Sequence, residues 1–398
     1  MTMRACFTPL ALAFCGLVAC SGDDVGLGGP NDGQKPSDGT QKPETYPRLI
    51  VAGRDGVSIW NNATSLEGTP KPSAHLDFKG SPLGLGLNGD TLFVAASNVD
   101  SNFNTALYRF DGASKLTEGA KPASSIPGTA FRGSGQQSGF SGHVRIQADS
   151  RHNAWIHNAT SGGTVHVLPT GANAPVARFG PVGQYTTYDE AGDRLFGSTV
   201  GGRFFPVWAN ASTKTGDIQN SDYDFSTVNP QHMAIAGNRL YSNAVQLQQE
   251  KGFSDISIWN DIANIRSSKA PDIVMANACA ATDDRPTYIA HVAVVNDVLL
   301  AVTGTYLKNA SGSASSKVCI FKGASAITAG RAPDAVASVA DSLITGSGSD
   351  KAWLSKDDHL FLLDAGGIVI FKNATTNPTY VARLFYDNAG AVDFLLLE

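Results

Sequence analysis

Three histidines share one local setting. His143, His232 and His291 lie in Gly142-His143-Val144, Gln231-His232-Met233 and Ala290-His291-Val292, each at the start of a short apolar run. Neutral imidazole is a common transition-metal ligand, and three that converge could complete an open site for a divalent metal. No Asp or Glu takes the same position in those runs, and imidazoles so placed also serve as hydrogen-bonding groups of a sheet. Asp350 and Asp393 are the acids that the pattern brings nearest to them, which is thin support for hydrolysis. Cys279 and Cys319 could pair in an oxidising compartment, or be two small buried residues; their spacing does not show that they meet. There is no Gly-x-Ser-x-Gly elbow, zinc-type Cys/His spacing or phosphate loop, so no catalytic residue is assigned.

The elements that must position these residues are repeats. Trp60-Asn61-Asn62-Ala63-Thr64, Phe110-Asp111-Gly112-Ala113-Ser114 and Phe321-Lys322-Gly323-Ala324-Ser325 are copies of one segment. Trp208, Trp259 and Phe371 open further copies. Each follows an alternating run, the period-two mark of a half-buried strand, and Asn or Gly at the third position suits a turn with positive φ. A second element precedes the first: a small-residue strand, a tight turn such as Gly89-Asp90 or Gly192-Asp193, then an apolar strand. The unit is four strands, A to D, over about 50 residues, which is the period of a β-propeller blade.

Strand B begins near Leu49, Leu92, Ala154, Leu195, Leu240, Leu299 and Leu360, which predicts an all-β, seven-bladed propeller of four-stranded antiparallel blades. Leu49 has no strand A before it, and Ala391-Val392-Asp393-Phe394-Leu395-Leu396-Leu397 ends the chain without a partner. The C-terminal strand should therefore act as strand A of blade 1 and close the ring, removing open edges. The Asn-Ala-Thr/Ser triplets at Asn62, Asn210 and Asn373 fall on the turn where other copies have Gly, so turn geometry explains them better than glycosylation. The aromatic residues at the end of strand C read as packing between blades.

Before the repeats, Arg4 precedes an apolar run over residues 10–16, too short to span a bilayer, and then Leu17-Val18-Ala19-Cys20. This resembles the signal peptide of a bacterial lipoprotein and matches its four-residue lipobox at every position. The resemblance implies cleavage after residue 19, acylation of Cys20 (palmitate among the chains) and anchoring of a monomeric protein in the cell envelope, chiefly the outer membrane. Residues 20–46, rich in Gly, Pro, Asp and Ser, read as a disordered tether with a reach of about 25–30 Å. Residues 47–398 form the propeller.

Over that span the pattern is similar to the NHL and YVTN propeller families, and more closely to propeller lipoproteins of myxobacteria; this resemblance implies an envelope location and assigns no ligand. A net charge of −5 and a pI near 5.9 give no basic footprint for nucleic acid. The long, irregular connections are D–A and B–C, and all fall on the face that carries the histidines. Irregular loops on a rigid scaffold are where binding resides, with Phe103, Phe131, Phe140, Phe253, Arg285 and Tyr306 as expected partner anchors. The expected function is a membrane-anchored binding or scaffold module for a protein or small ligand. The alternative is a propeller hydrolase or lactonase with a metal at the channel mouth.

Overall fold

A computed structural model describes residues 47–102, 104–132, 139–140, 142–159, 163–183, 185–198, 205–225, 230–244, 255–267, 269–279, 287–305, 316–339, 351–364, 367–385 and 391–398. The chain divides at Glu44–Thr45, and all described residues belong to the second unit.

Seven antiparallel sheets follow one another along the chain, and together they make a seven-bladed β-propeller. Blade 1 is completed from the far end: Ala391–Leu397 pairs with Arg48–Gly53, Leu49 opposite Leu396 and Val51 opposite Phe394. The other inner strands are Ser81–Asn88, His143–Ala148, Thr186–Asp189, Pro230–Ala236, Thr287–Val295 and Ala352–Leu354. Blade 3 carries an addition that the repeat pattern does not announce. Gly216–Ile218, from the C–D connection of blade 4, pairs in parallel with the outer strand Ala177–Val182 as a fifth strand.

Each blade buries one face against its neighbour, and each of the seven interfaces has its own apolar cluster. The strand C aromatics anchor six of them. Trp60, Phe110, Trp208, Trp259, Phe321 and Phe371 are all buried, each packed on the preceding blade. Leu168 takes the same place in blade 3. Burying such a side chain contributes about 1.5–3 kcal/mol. Between blades 2 and 3 the inner strands approach so closely that only glycine fits. A Cβ on Gly84 would lie 1.7 Å from the Val144 carbonyl oxygen, and one on Gly86 2.3 Å from Ile146 Cβ.

On the A–B and C–D side, one clamp recurs. The residue after strand C is left-handed at Asn62, Gly112, Asn210, Asp261, Gly323 and Asn373, with φ between 50° and 72°. The alanine that follows is buried in five of these turns. The hydroxyl residue after it donates to the aspartate of the A–B turn. Ser114 N and Oγ reach Asp90 at 2.7 and 3.0 Å, Ser212 reaches Asp193 at 2.8 and 2.9 Å, and Ser325 and Thr375 repeat this on Asp297 and Asp358. Arginines at the start of strand B then latch blade to blade. Arg48 donates to the carbonyls of Ala113 and Leu116, and Arg239 to those of Ala324 and Ile327.

The closure has a polar clasp of its own. Asp393 accepts from the Leu85 backbone N–H at 2.8 Å and from Lys351 Nζ at 3.0 Å, while Lys351 also donates to the Phe394 carbonyl at 2.7 Å. One carboxylate thus joins blades 7, 1 and 2. Deleting residues 392–398 removes buried Phe394 and Leu396 and the clasp together, and should abolish cooperative unfolding or lower Tm by more than about 10 °C. Asp393→Ala, which leaves the strand in place, should cost about 1–3 kcal/mol by urea denaturation. A truncated protein that melts with the full-length chain would mean that the strand does not close the ring.

Candidate functional site

The inner strands of all blades surround an axial cavity of about 360 Å³. Its wall mixes apolar groups (Leu83, Leu85, Met233, Val294) with His143, Arg145, His291, Lys351, Trp353 and Asp393. Trp353 is unusual there: most large apolar residues are buried, whereas it is 36 % exposed. Period two explains the placement of both Lys351 and Trp353, since Ala352 and Leu354 between and beyond them point into the blade packing.

Two of the three sequence-predicted histidines meet. His232 Nδ1 and His291 Nδ1 are 3.1 Å apart, with the rings edge-to-face at 83° and their centres 5.0 Å apart. They come from the inner strands of adjacent blades, and Asn243 fixes the two strands to each other. Its Oδ1 accepts from the His232 backbone N–H at 2.6 Å, and its Nδ2 donates to the Ile289 carbonyl at 2.5 Å. Tyr185 packs on the His232 ring at 4.0 Å, and the Arg145 guanidinium lies 4.6 Å from the Tyr185 ring centre. Burial holds both imidazoles neutral. It lowers His291 to about 3 with help from Arg145 and Lys351, and lowers His232 well below the usual value with help from His291 and Arg145.

His143 does not join this pair to make the expected three-histidine site. It opens the inner strand of blade 3, two blades from His232, and no group of three or more His, Cys, Asp or Glu among the described residues is arranged to hold a metal. Blade order decides the outcome: His232 and His291 stand on adjacent blades, whereas blade 4 lies between His143 and His232. Phe131 is likewise corrected. It is fully buried between blades 2 and 3, stacked on Phe140 at 4.9 Å, and is a core residue rather than a partner anchor; Phe140 is buried with it. Phe103, Phe253, Arg285, Tyr306, Asp350 and Cys20 lie outside the described residues. Cys279 and Cys319 form a disulfide with Cα atoms 5.8 Å apart, stapling the segment after the outer strand of blade 5 to strand C of blade 6.

Sequence reasoning overlooked Asn243, Arg145, Lys351 and Trp353. A usable signal existed for the last two: strand A is small and apolar in blades 2 and 6, so a Lys-x-Trp there departs from that pattern. It also overlooked a buried pair in blade 3. His157 Nε2 lies 3.0 Å from the Gly183 carbonyl and His166 Nε2 lies 2.9 Å from Thr164 Oγ1. Burial lowers these to about 3 and about 4.

No family model and no curated protein matches the chain. Among solved structures, one from Bacteroides fragilis, described provisionally as a 6-phosphogluconolactonase, aligns with a TM-score of 0.52 at 10% identity, covering 89% of this chain and 99% of its own. The C-terminal WD40 domain of Sif2 aligns at 0.46 and 8% identity over 87% of this chain and 84% of its own. The likeness is one of fold.

The histidines give the site a pH signature. In the unfolded chain they take up protons below about 6.5, whereas His157, His166 and His291 stay neutral in the fold until about 3 to 4. The unfolded state therefore binds more protons in that window, so stability is level above about pH 6.5 and falls as the pH drops through it. Each histidine should cost about 2 kcal/mol at pH 5 relative to neutral pH. Urea midpoints at pH 7.5 and 5.0 check this; equal midpoints would contradict burial of the neutral rings, and His157→Gln should flatten the dependence.

Proposed function

We propose that the chain is a lipid-anchored envelope protein whose propeller binds a small molecule or a protein segment at the mouth of its channel. The observation that carries the binding reading is the cavity of about 360 Å³, walled by every blade and lined by an exposed Trp353 together with Lys351 and Arg145. Ligand sites of about 300–1,000 Å³ pair an apolar wall with a few placed polar groups in this way. The long, irregular D–A and B–C connections expected from the sequence supply Phe103, Phe253, Arg285 and Tyr306 as the proposed contacts for a larger partner. The anchor reading rests on Leu17–Cys20 and on the tether that follows. Several acyl chains at about 0.8 kcal/mol per buried methylene hold a soluble body on a membrane. The activity in the name of the Bacteroides fragilis structure is not transferred, because at 10% identity the match speaks only for the fold.

Two outcomes test this reading. Cys20→Ala should move the protein from the membrane pellet to the soluble fraction, or leave the signal uncleaved; acyl labelling that persists in this variant would refute the anchor. For binding, the immobilised mature chain should retain a defined component of an envelope extract. Trp353→Ala or substitutions in residues 305–317 should lose it, while charge reversal at Lys115, Glu118 or Arg331 on the C–D side should not. Loss only from the C–D side would overturn the assignment of the working face.

A further inference from the structure

His291, which lines the cavity, and buried His232 behind it form a pair whose geometry suits a second use besides a hydrogen bond. We propose that His232 and His291 together chelate a single first-row transition-metal ion through their Nδ1 atoms, copper(II) foremost, with the remaining coordination positions open to the cavity.

The separation fits this use. With metal–nitrogen bonds of about 2.0–2.1 Å, two nitrogens 3.1 Å apart subtend about 100° at a shared ion, between the square-planar and tetrahedral values. The ring centres are compatible with this: at 5.0 Å they fall between the about 5.4 Å of a straight N–H···N bond of this length and the about 4.8 Å of two rings aimed at one ion.

The surroundings supply what a metal site needs beyond its ligands. Both rings are neutral at physiological pH, the state in which imidazole binds metal; the ring that donates across the Nδ1···Nδ1 contact gives up that proton on binding and carries its N–H at Nε2 instead. Asn243 ties the His232 backbone to Ile289, two residues before His291, so that the pair is held in place across the blade boundary. Tyr185 packs against the His232 ring. His291 lines the axial cavity, which leaves room for water or a bound small molecule to complete the coordination.

The charges nearby select among ions. Arg145 and Lys351 both act on His291, and Lys351 is itself paired with Asp393. A hard, oxygen-seeking ion such as calcium or magnesium finds no carboxylate pair at this position among the described residues. An ion with strong affinity for neutral nitrogen best offsets the repulsion, and copper(II) heads that order. The inference rests on the channel reading only for the open positions; the two nitrogens can be tested without any ligand.

The test is a chelator competition on the mature chain, stripped with EDTA and titrated with copper(II) or zinc(II) alone. One copper per chain should bind with micromolar or tighter affinity. His232→Gln and His291→Gln should each weaken it at least tenfold, and His143→Gln should leave it unchanged. Electron paramagnetic resonance of the copper-loaded wild type should show coupling to two imidazole nitrogens, which holds even if a variant fails to fold. No stoichiometric binding, coupling to one nitrogen or none, or an affinity indifferent to both substitutions would overturn the proposal. Failure to retain an envelope component, by contrast, would count only against the binding reading.

Discussion

The ring depends on one pairing, that of Ala391–Leu397 with Arg48–Gly53. The four antiparallel strands of every other blade follow in order along one stretch of the chain, so they meet across connections far shorter than the whole propeller and at lower entropic cost. Blade 1 must bring the two ends of the propeller together. In return the sheet has no free inner edge at the junction, and Phe394 and Leu396 enter the interface between blades 7 and 1. Asp393 adds direction to that closure by accepting from blades 2 and 7 at once. The channel wall exists only because this strand completes it.

Given a closed ring, the site follows from the alternation of strand A. Odd and even residues of an inner strand face either the axis or the neighbouring blade. His291, Lys351 and Trp353 face the axis, while Val292, Ala352 and Leu354 fill interfaces. The clamps, Asp90 on Ser114 and its repeats, fix the A–B and C–D turns. Turn chemistry thus standardises the A–B and C–D face from blade to blade.

Much of this was legible in the chain because the repeat encodes it locally. Leu49, Leu92, Leu195 and Leu240 mark second strands as read, and the left-handed turns at Asn62, Gly112 and Gly323 need residues that tolerate positive φ. The unpartnered apolar end of the chain identified the closing strand. What escaped was non-local. Phe131 looked like a loop aromatic because nothing in its neighbours says that Phe140 and His166 will enclose it. Gly216–Ile218 is too short and too polar to signal a fifth strand on blade 3. The meeting of His232 and His291, without His143, depends on the angle between blades, which no spacing along the sequence expresses.

The central claim is that the C-terminal strand is a permanent part of the ring rather than a fraying tail. Native-state hydrogen exchange tests it most directly. The bonded amides of Ala391–Leu397 should exchange only through global unfolding, with the same free energy as those of Arg48–Gly53. Exchange of the terminal strand at rates orders of magnitude faster, while the amides between Arg48–Gly53 and Gly56–Trp60 stay protected, would contradict the account.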